Sequence, residues 1–166
     1  SCSARNLFLS FGEAIGTILT RVFLALSFCV VPALAQPKSD KPVPPISRNA
    51  AGLALKGYDP IAYFEVAKAM PGSPAFSHEI DGAKFLFRSE ASKTLFVADP
   101  TKYLPRFGGY CPWAVGHNYT APADPEVWRI VDGKLYLNYN QGVQQKWIAE
   151  EGRLISAGEA NWPGLH

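Results

Sequence analysis

One pattern occurs twice in this chain, and it constrains the fold more than any other feature. Residues 75–104 (AFSHEIDGAKFLFRSEASKTLFVADPTKYL) align without gaps to residues 126–155 (EVWRIVDGKLYLNYNQGVQQKWIAEEGRLI). Each copy reads as a strand, an Asp-Gly turn, a second strand and a helix, because Asp-Gly between aromatic and β-branched residues is typical of tight hairpins. A hairpin with one helix buries little surface alone, so the two units are predicted to share one core in an α+β domain with a mainly antiparallel sheet.

Matching polar residues mark the start of both predicted helices. Ser89 and Asn140 stand at corresponding positions in the two copies. Each is expected to be an N-cap, because a short polar side chain can accept a hydrogen bond from the free amides of the first helical turn. The turns at residues 81–82 and 132–133 are expected to have positive φ at both central positions.

The amino end has the parts of a secretory signal peptide over residues 1–35. Arg21 precedes an apolar run, and a small-x-small site ends at Ala35, after which we predict cleavage. The uncharged stretch is about 14 residues, shorter than the roughly 20 that a membrane-spanning helix needs. We therefore predict a periplasmic or secreted protein without a stable membrane anchor. The proline-rich residues 36–49 are predicted to be a tether with few core contacts, followed by a domain over residues 50–166.

Removal of the signal would leave Cys111 as the single cysteine, because Cys2 and Cys29 precede the cleavage site. A single cysteine is notable in an exported protein, since oxidising compartments usually hold cysteines in pairs. Three interpretations stay open: a reactive thiolate, a buried packing residue, and an intermolecular disulfide.

The stretch FGGYCPWAVGHN (residues 107–118) makes Cys111 the leading candidate for a catalytic or metal-binding residue. A thiolate needs a cation, a histidine or backbone amides nearby. If Cys111 is reactive, we expect its sulfur to be reachable by a small reagent. We also expect it to lie near Arg106, His117 and the amides of residues 108–109.

Two histidines are candidate metal ligands, each with a plainer alternative. His117 can join Cys111 only if the chain turns back between them, and otherwise it is a surface histidine. His78 lies on one face of a predicted strand, either as a ligand or as a hydrogen-bonded histidine of the sheet. Near the start of the domain, Asp59 either lines a pocket or caps the turn at Pro60, and the second interpretation is favoured.

Three segments together resemble the YHS-domain family: KGYDPIAYF (56–64), residues 80–111 and VDGKLYLNYN (131–140). The resemblance implies a metal-binding module related to small zinc-finger-like domains. Metal-handling members of the family have the motif Phe-Cys-Ser-x-x-Cys at the junction between strand and helix. This chain has Arg88 and Ser92 in place of the two cysteines, so a closed four-ligand zinc site is not expected. The chain is more similar to a Gly-Gly-Tyr-Cys subgroup in which selenocysteine sometimes occupies the position of Cys111, which implies redox chemistry or soft-metal ligation there.

The leading functional prediction is an exported module that binds a soft or borderline ion such as Cu(I) through Cys111, with His117 or His78 as further ligands. The alternative is a one-cysteine redox enzyme that relies on an external resolving thiol. A third candidate is a binding module for a small ligand or a protein partner, with a structural cysteine.

Charge and motifs argue against a nucleic-acid-binding protein and against a nucleotide-dependent enzyme. The chain has a formal net charge of +2 and no basic cluster, so no nucleic-acid partner is expected. No phosphate-binding loop is present, and no nucleotide cofactor is expected.

Overall fold

The structure, a computed structural model of the chain, describes residues 44–166. The predicted signal peptide and residues 36–43 of the tether lie outside the described residues. The described part combines helices with two small antiparallel sheets, which confirms the predicted α+β class. Among these residues, none of the helices combines the length and apolar character that crossing a bilayer requires.

Helices and strands alternate along the chain in an order that repeats. In chain order they are α1 (Ala62–Glu65), β1 (Ser73–Ile80), β2 (Ala83–Phe87), α2 (Glu90–Ala98), α3 (Pro100–Tyr103), α4 (Pro112–Gly116), β3 (Trp128–Val131), β4 (Lys134–Leu137), α5 (Gln141–Ala149) and α6 (Glu151–Asn161). Short 3-10 segments cover Leu55–Gly57, Arg106–Gly109 and Trp162–Gly164.

Both predicted hairpins are present. Strand β1 pairs with β2 and strand β3 with β4, each antiparallel and each in its own two-stranded sheet. The central turn residues have positive φ, at 49° and 71° in residues 81–82 and at 48° and 71° in residues 132–133. This is the conformation that an Asp-Gly turn needs in order to match the twist of its strands.

The predicted N-caps of the helices after the hairpins are also confirmed. The amide of Ser92 donates to the hydroxyl of Ser89 at 3.1 Å, at the start of α2. The amide of Val143 donates to Oδ1 of Asn140 at 2.8 Å, at the start of α5. Each cap supplies an acceptor to an amide that has no partner inside its own helix.

The structural repeat extends further toward the amino end than the sequence alignment did. Residues 55–57 and 107–109 form left-handed turns, with φ between 51° and 90° in the first and between 52° and 82° in the second. The segments YDPIA (58–62) and YCPWA (110–114) follow them, at an offset one residue larger than that of the hairpins. We call residues 55–104 the first half and residues 107–155 the second half.

The two halves share a core. One buried cluster takes residues from both hairpins, among them Phe85 and Phe87 of the first half and Leu135 and Leu137 of the second. A second cluster lies within the second half and α6, and its buried members are Phe107, Val115, Tyr136, Trp147 and Leu154. Leucine and tyrosine alternate along β4, so its two faces serve the two clusters.

The expectation that residues 36–49 make few core contacts is wrong for the part that the structure describes. Ile46 is only 6% exposed and belongs to the first cluster. The amide of Ser47 donates to the carbonyl of Gly108 at 2.8 Å. A Cβ atom on Gly108 would lie 1.9 Å from the carbonyl oxygen of Pro45, so glycine lets the segment pass directly over the left-handed turn.

Candidate functional site

Cys111 lies at the start of α4, directly after the left-handed turn of the second half. It is the N-cap residue of α4, and Pro112 occupies the first helical position. Its amide donates to the carbonyl of Ala121 at 3.0 Å, and its carbonyl accepts from the amide of Val115 at 3.1 Å. The residue is 1% exposed, so the expectation that its sulfur is reachable from the surface is not met in this conformation.

Asp59 occupies the same place in the first half. It follows the other left-handed turn and precedes Pro60, as Cys111 precedes Pro112. Its amide donates to the carbonyl of Met70 at 2.8 Å, which matches the bond from Cys111 to Ala121. Asp59 and Cys111 are therefore equivalent residues of a duplicated architecture.

The surroundings of Asp59 show what this position can hold. Asp59 is fully buried, and the amide of Ile61 donates to its Oδ1 at 2.8 Å. Its Oδ2 accepts from the amide of Arg88 at 3.0 Å and from Nε of Arg88 at 3.2 Å. A buried carboxylate is stable only when donors or cations satisfy its oxygens, as they do here. The bond to Ile61 also confirms the prediction that Asp59 caps the turn at Pro60.

The second half keeps the backbone positions of this arrangement but not its hydrogen bonds, because the side chain of Cys111 accepts none from the first turn of α4. The two amides that donate to Asp59 belong to Ile61 and Arg88, and their equivalents are the amides of Trp113 and Tyr139. The offset between the halves is 52 residues at the first of these positions and 51 at the second. Tyrosine replaces the guanidinium of Arg88, so the cation is not repeated. Cys111 thus stands where the first half holds an anion between two backbone amides.

His117 is the C-cap residue of α4. It is exposed, and its ring stacks on Trp113 at a centroid distance of 4.5 Å. Its Nδ1 lies 2.7 Å from the carbonyl oxygen of Trp113, and since a carbonyl only accepts, Nδ1 carries the proton. Nε2 is left as the nitrogen that can bind a metal ion.

His78 belongs to the first half. It pairs with Phe85 across the β1–β2 hairpin and is partly buried. Its ring meets Phe96 edge-on at 6.3 Å. These contacts place it against the helix of the first half, whereas Cys111 lies in the second.

The remaining expected neighbour, Arg106, has another partner. Its guanidinium pairs with the carboxylate of Glu159 on α6. Within residues 44–166, no group of three or more histidine, cysteine, aspartate or glutamate side chains is placed to hold a metal ion.

Arg88 and Ser92, which were compared above with two cysteines, have hydrogen-bonding roles in this chain. Arg88 forms the ion pair with Asp59 at 3.2 Å. Ser92 is 5% exposed, and its hydroxyl lies 3.2 Å from that of Ser89. Both side chains stabilise the junction between β2 and α2.

Two buried polar residues of the second half were missed by the sequence analysis. Asn138 follows β4 and is fully buried, and within the described residues neither Oδ1 nor Nδ2 has a hydrogen-bond partner. Trp147 on α5 is also fully buried, and its Nε1 is likewise without a partner there. Comparison with the first copy offered a signal, because Phe87 and Phe96 occupy the aligned positions.

Several tyrosines near the two equivalent sites are buried enough to resist ionisation. Burial raises the pKa of Tyr110, the residue before Cys111, while the charge of Arg48 acts in the opposite direction. Burial, with smaller contributions from neighbouring acidic groups, raises the pKa of Tyr63 well above its usual value. The Tyr63 hydroxyl donates to the carbonyl of Pro125 at 2.9 Å, which connects the two halves.

Comparison of the chain with protein-family models, with curated proteins and with solved structures found no match in any of the three. The resemblance to YHS domains therefore stays a prediction from the motifs.

Proposed function

We propose that this protein is a single-thiol redox module, in which Cys111 acts as a thiolate that a small hydroperoxide oxidises. The observation that supports this most directly is the equivalence of Cys111 and Asp59. The first half satisfies a buried anion at this position with two backbone amides and Arg88. The amides of Trp113 and Tyr139 occupy the matching backbone positions and are the donors available to a negatively charged sulfur there.

The proposed reaction uses one sulfur and an external reductant. The thiolate attacks one oxygen of the hydroperoxide, the O–O bond breaks, and an alcohol or water leaves after taking a proton. Cys111 is then a sulfenic acid. A thiol from outside attacks this sulfur and releases water, giving a mixed disulfide, and a second thiol regenerates Cys111 with formation of an external disulfide.

Burial restricts which oxidants can react. Cys111 is 1% exposed, so the reaction needs a local opening of the chain around it. The irregular segment over residues 118–127 contains Ala121, whose carbonyl accepts the hydrogen bond from the Cys111 amide. It also contains the exposed Tyr119. Displacement of this segment would admit a small peroxide before it admits a protein.

The supply of external thiols depends on where the protein works. We propose export to the periplasm or outside the cell, on the basis of the signal-like residues 1–35. The reducing thiols would then come from a periplasmic partner protein, since the domain after Ala35 has no second cysteine.

Copper binding through Cys111 is the competing proposal. It has less support, because the rings of His117 and His78 contact other aromatic residues and residues 44–166 hold no group of three potential ligands. A Cu(I) site would need a ligand from a partner or a rearrangement of α4.

One experiment separates these proposals. The purified protein is treated with hydrogen peroxide in the presence of dimedone, which traps sulfenic acid, and Cys111 is examined by mass spectrometry. In parallel, alkylation of Cys111 is followed with and without Cu(I), and Cys111→Ser is the control. A dimedone adduct at Cys111 supports the redox module. Protection by Cu(I) without an adduct supports metal binding instead, and an unreactive thiol under both conditions shows that Cys111 is a packing residue.

A further inference from the structure

Asn138 and Trp147 are buried hydrogen-bond donors at places where the first half has only hydrocarbon. Phe87 and Phe96 occupy the equivalent positions, with ring centroids 5.1 Å apart. The neighbouring contact is preserved, because Tyr136 meets Trp147 at 5.4 Å as Phe85 meets Phe96 at 5.0 Å. The second half therefore keeps the packing of the first but introduces polar atoms into it.

Burial of these polar atoms without hydrogen-bond partners lowers the stability of the folded state. Asn138 is 0% exposed, and within residues 44–166 neither its Nδ2 nor its Oδ1 has a partner. The same holds for Nε1 of Trp147. A buried donor without an acceptor destabilises the folded state, so two together in one core point to an acceptor that they serve.

The repeat places Asn138 beside the amide that corresponds to one of the donors to Asp59. In the first half, Oδ2 of Asp59 lies 3.0 Å from the amide nitrogen of Arg88, the residue directly after Phe87. The equivalents are Cys111 and the amide of Tyr139, the residue directly after Asn138. The side chain of Asn138 faces α5, as Tyr136 does, because residues two apart in a strand share a face.

We infer that Nδ2 of Asn138, assisted by Nε1 of Trp147, binds the oxygen atom that a hydroperoxide transfers to Cys111. This inference rests on the proposed function and deepens it, because it assigns substrate-binding groups to the same site. The thiolate attacks the hydroxyl oxygen of the hydroperoxide, the O–O bond breaks, and the departing oxygen takes the proton of that hydroxyl, which leaves the sulfenic acid of Cys111 in its anionic form. The oxygen left on sulfur carries negative charge and accepts hydrogen bonds from the two donors.

The arrangement also limits the substrate. The oxygen lies inside a core whose other walls are the aromatic rings of the second cluster. Hydrogen peroxide and short alkyl hydroperoxides fit this description, whereas a lipid hydroperoxide does not. The oxygen on sulfur, once bound to the two donors, fills the place that a second peroxide would need, which slows conversion to sulfinic acid.

Asn138→Leu tests the inference, because leucine removes the donor with little change in size. The measurements are the rate of dimedone adduct formation at Cys111 with hydrogen peroxide and the fraction of sulfinic acid. We expect the rate to fall about tenfold, since one charge-assisted hydrogen bond is lost. The resistance of the variant to urea should be unchanged or higher, because an unsatisfied polar group has been removed from the core. Phe87→Leu is the matched control and should leave the oxidation rate unchanged.

Trp147→Phe provides a second variant, since phenylalanine is the residue that the first half uses. It should slow oxidation by less than Asn138→Leu does. If the wild type forms no adduct, the proposed function fails, and the inference fails with it. If the wild type forms the adduct but both variants react at its rate, with the same fraction of sulfinic acid, the inference alone is overturned and the redox function stands.

Discussion

The proposed function depends on one residue position that occurs in both halves of the molecule. Asp59 and Cys111 follow similar left-handed turns and precede a proline, yet one is a carboxylate and the other a thiol. The preceding turns and the bonds to Met70 and Ala121 repeat, so the first half is an internal reference for the second. The helix that follows differs, since α4 begins directly after Cys111 and α1 begins three residues after Asp59.

Cys111→Asp tests whether the second position can hold an anion. Two amide donors should satisfy much of the carboxylate even without a counterpart of Arg88, so we expect the free energy of unfolding to fall by no more than about 2 kcal/mol. Urea unfolding followed by circular dichroism measures this loss.

Val115→Asp is the matched control for that measurement. Val115 is fully buried on the same short helix, in an apolar cluster. A carboxylate without donors should cost more than about 4 kcal/mol there. Equal losses for the two variants would show that the site of Cys111 is apolar and that the thiol has a packing role.

Sequence patterns predicted residues whose role depends on local bonds. Ser89 and Asn140 cap helices by accepting hydrogen bonds from amides three residues further on. Asp59 accepts one from the amide two residues further on. The burial of Cys111 was not predictable in this way, because it depends on Ala121 and on the packing of α4 against distant elements. The stacking of His117 on Trp113 was missed for a different reason, since it depends on the short helix α4, which the sequence patterns did not predict.

At the scale of the element, the turns differ in how far the sequence determines them. Asp-Gly predicts its own conformation, because glycine and aspartate tolerate positive φ. The left-handed turns contain Leu55, Lys56 and Phe107, which are residues that disfavour this region. Tertiary contacts hold them there, such as the bond from Ser47 to Gly108, so a local reading could not find them.

The two hairpin turns allow a matched pair of variants. Gly82 and Gly133 both have φ of 71°, so alanine is strained equally in both. A Cβ atom at Gly82 would lie 2.8 Å from Nη1 of Arg48, whereas nothing lies within 4 Å at Gly133. Gly133→Ala should therefore cost about 1 kcal/mol and Gly82→Ala more, because Arg48 must also move away from the carbonyl that it binds. Thermal unfolding of the two variants checks the order, and a reversed order would contradict it.

For the whole molecule, pH dependence follows from the buried tyrosines. Burial raises the pKa of Tyr63 and of Tyr136 in the folded state. The unfolded chain ionises tyrosine near pH 10, so the folded state binds more protons above that pH. Stability is then fully present below about pH 10 and is lost as pH rises further, by up to about 1.4 kcal/mol per pH unit for each such group.

Tyr63→Phe is the variant that checks this dependence. It should lower stability at neutral pH, because the hydrogen bond to Pro125 is lost, but it should flatten the decline above pH 10. Tyr119→Phe, at an exposed position, is the control and should leave the decline as it is. A decline that is equally steep in Tyr63→Phe would show that other groups cause it.

The shared core predicts that the two halves unfold together. Leu137 belongs to the second half, but its buried side chain packs in the cluster that holds Phe85 and Phe96 of the first half. Leu137→Ala should therefore destabilise the domain by about 2–5 kcal/mol and leave a single transition, because the cavity affects both halves. Phe107→Ala, in the cluster of the second half, provides the comparison.

Urea unfolding followed separately by tryptophan fluorescence and by circular dichroism tests whether the halves unfold together, since all four Trp lie in the second half or after it. Coincident curves are expected for the wild type and for Leu137→Ala. If fluorescence changed before circular dichroism, the second half would be an independent unit, and the first half could no longer serve as a fixed frame for the site of Cys111.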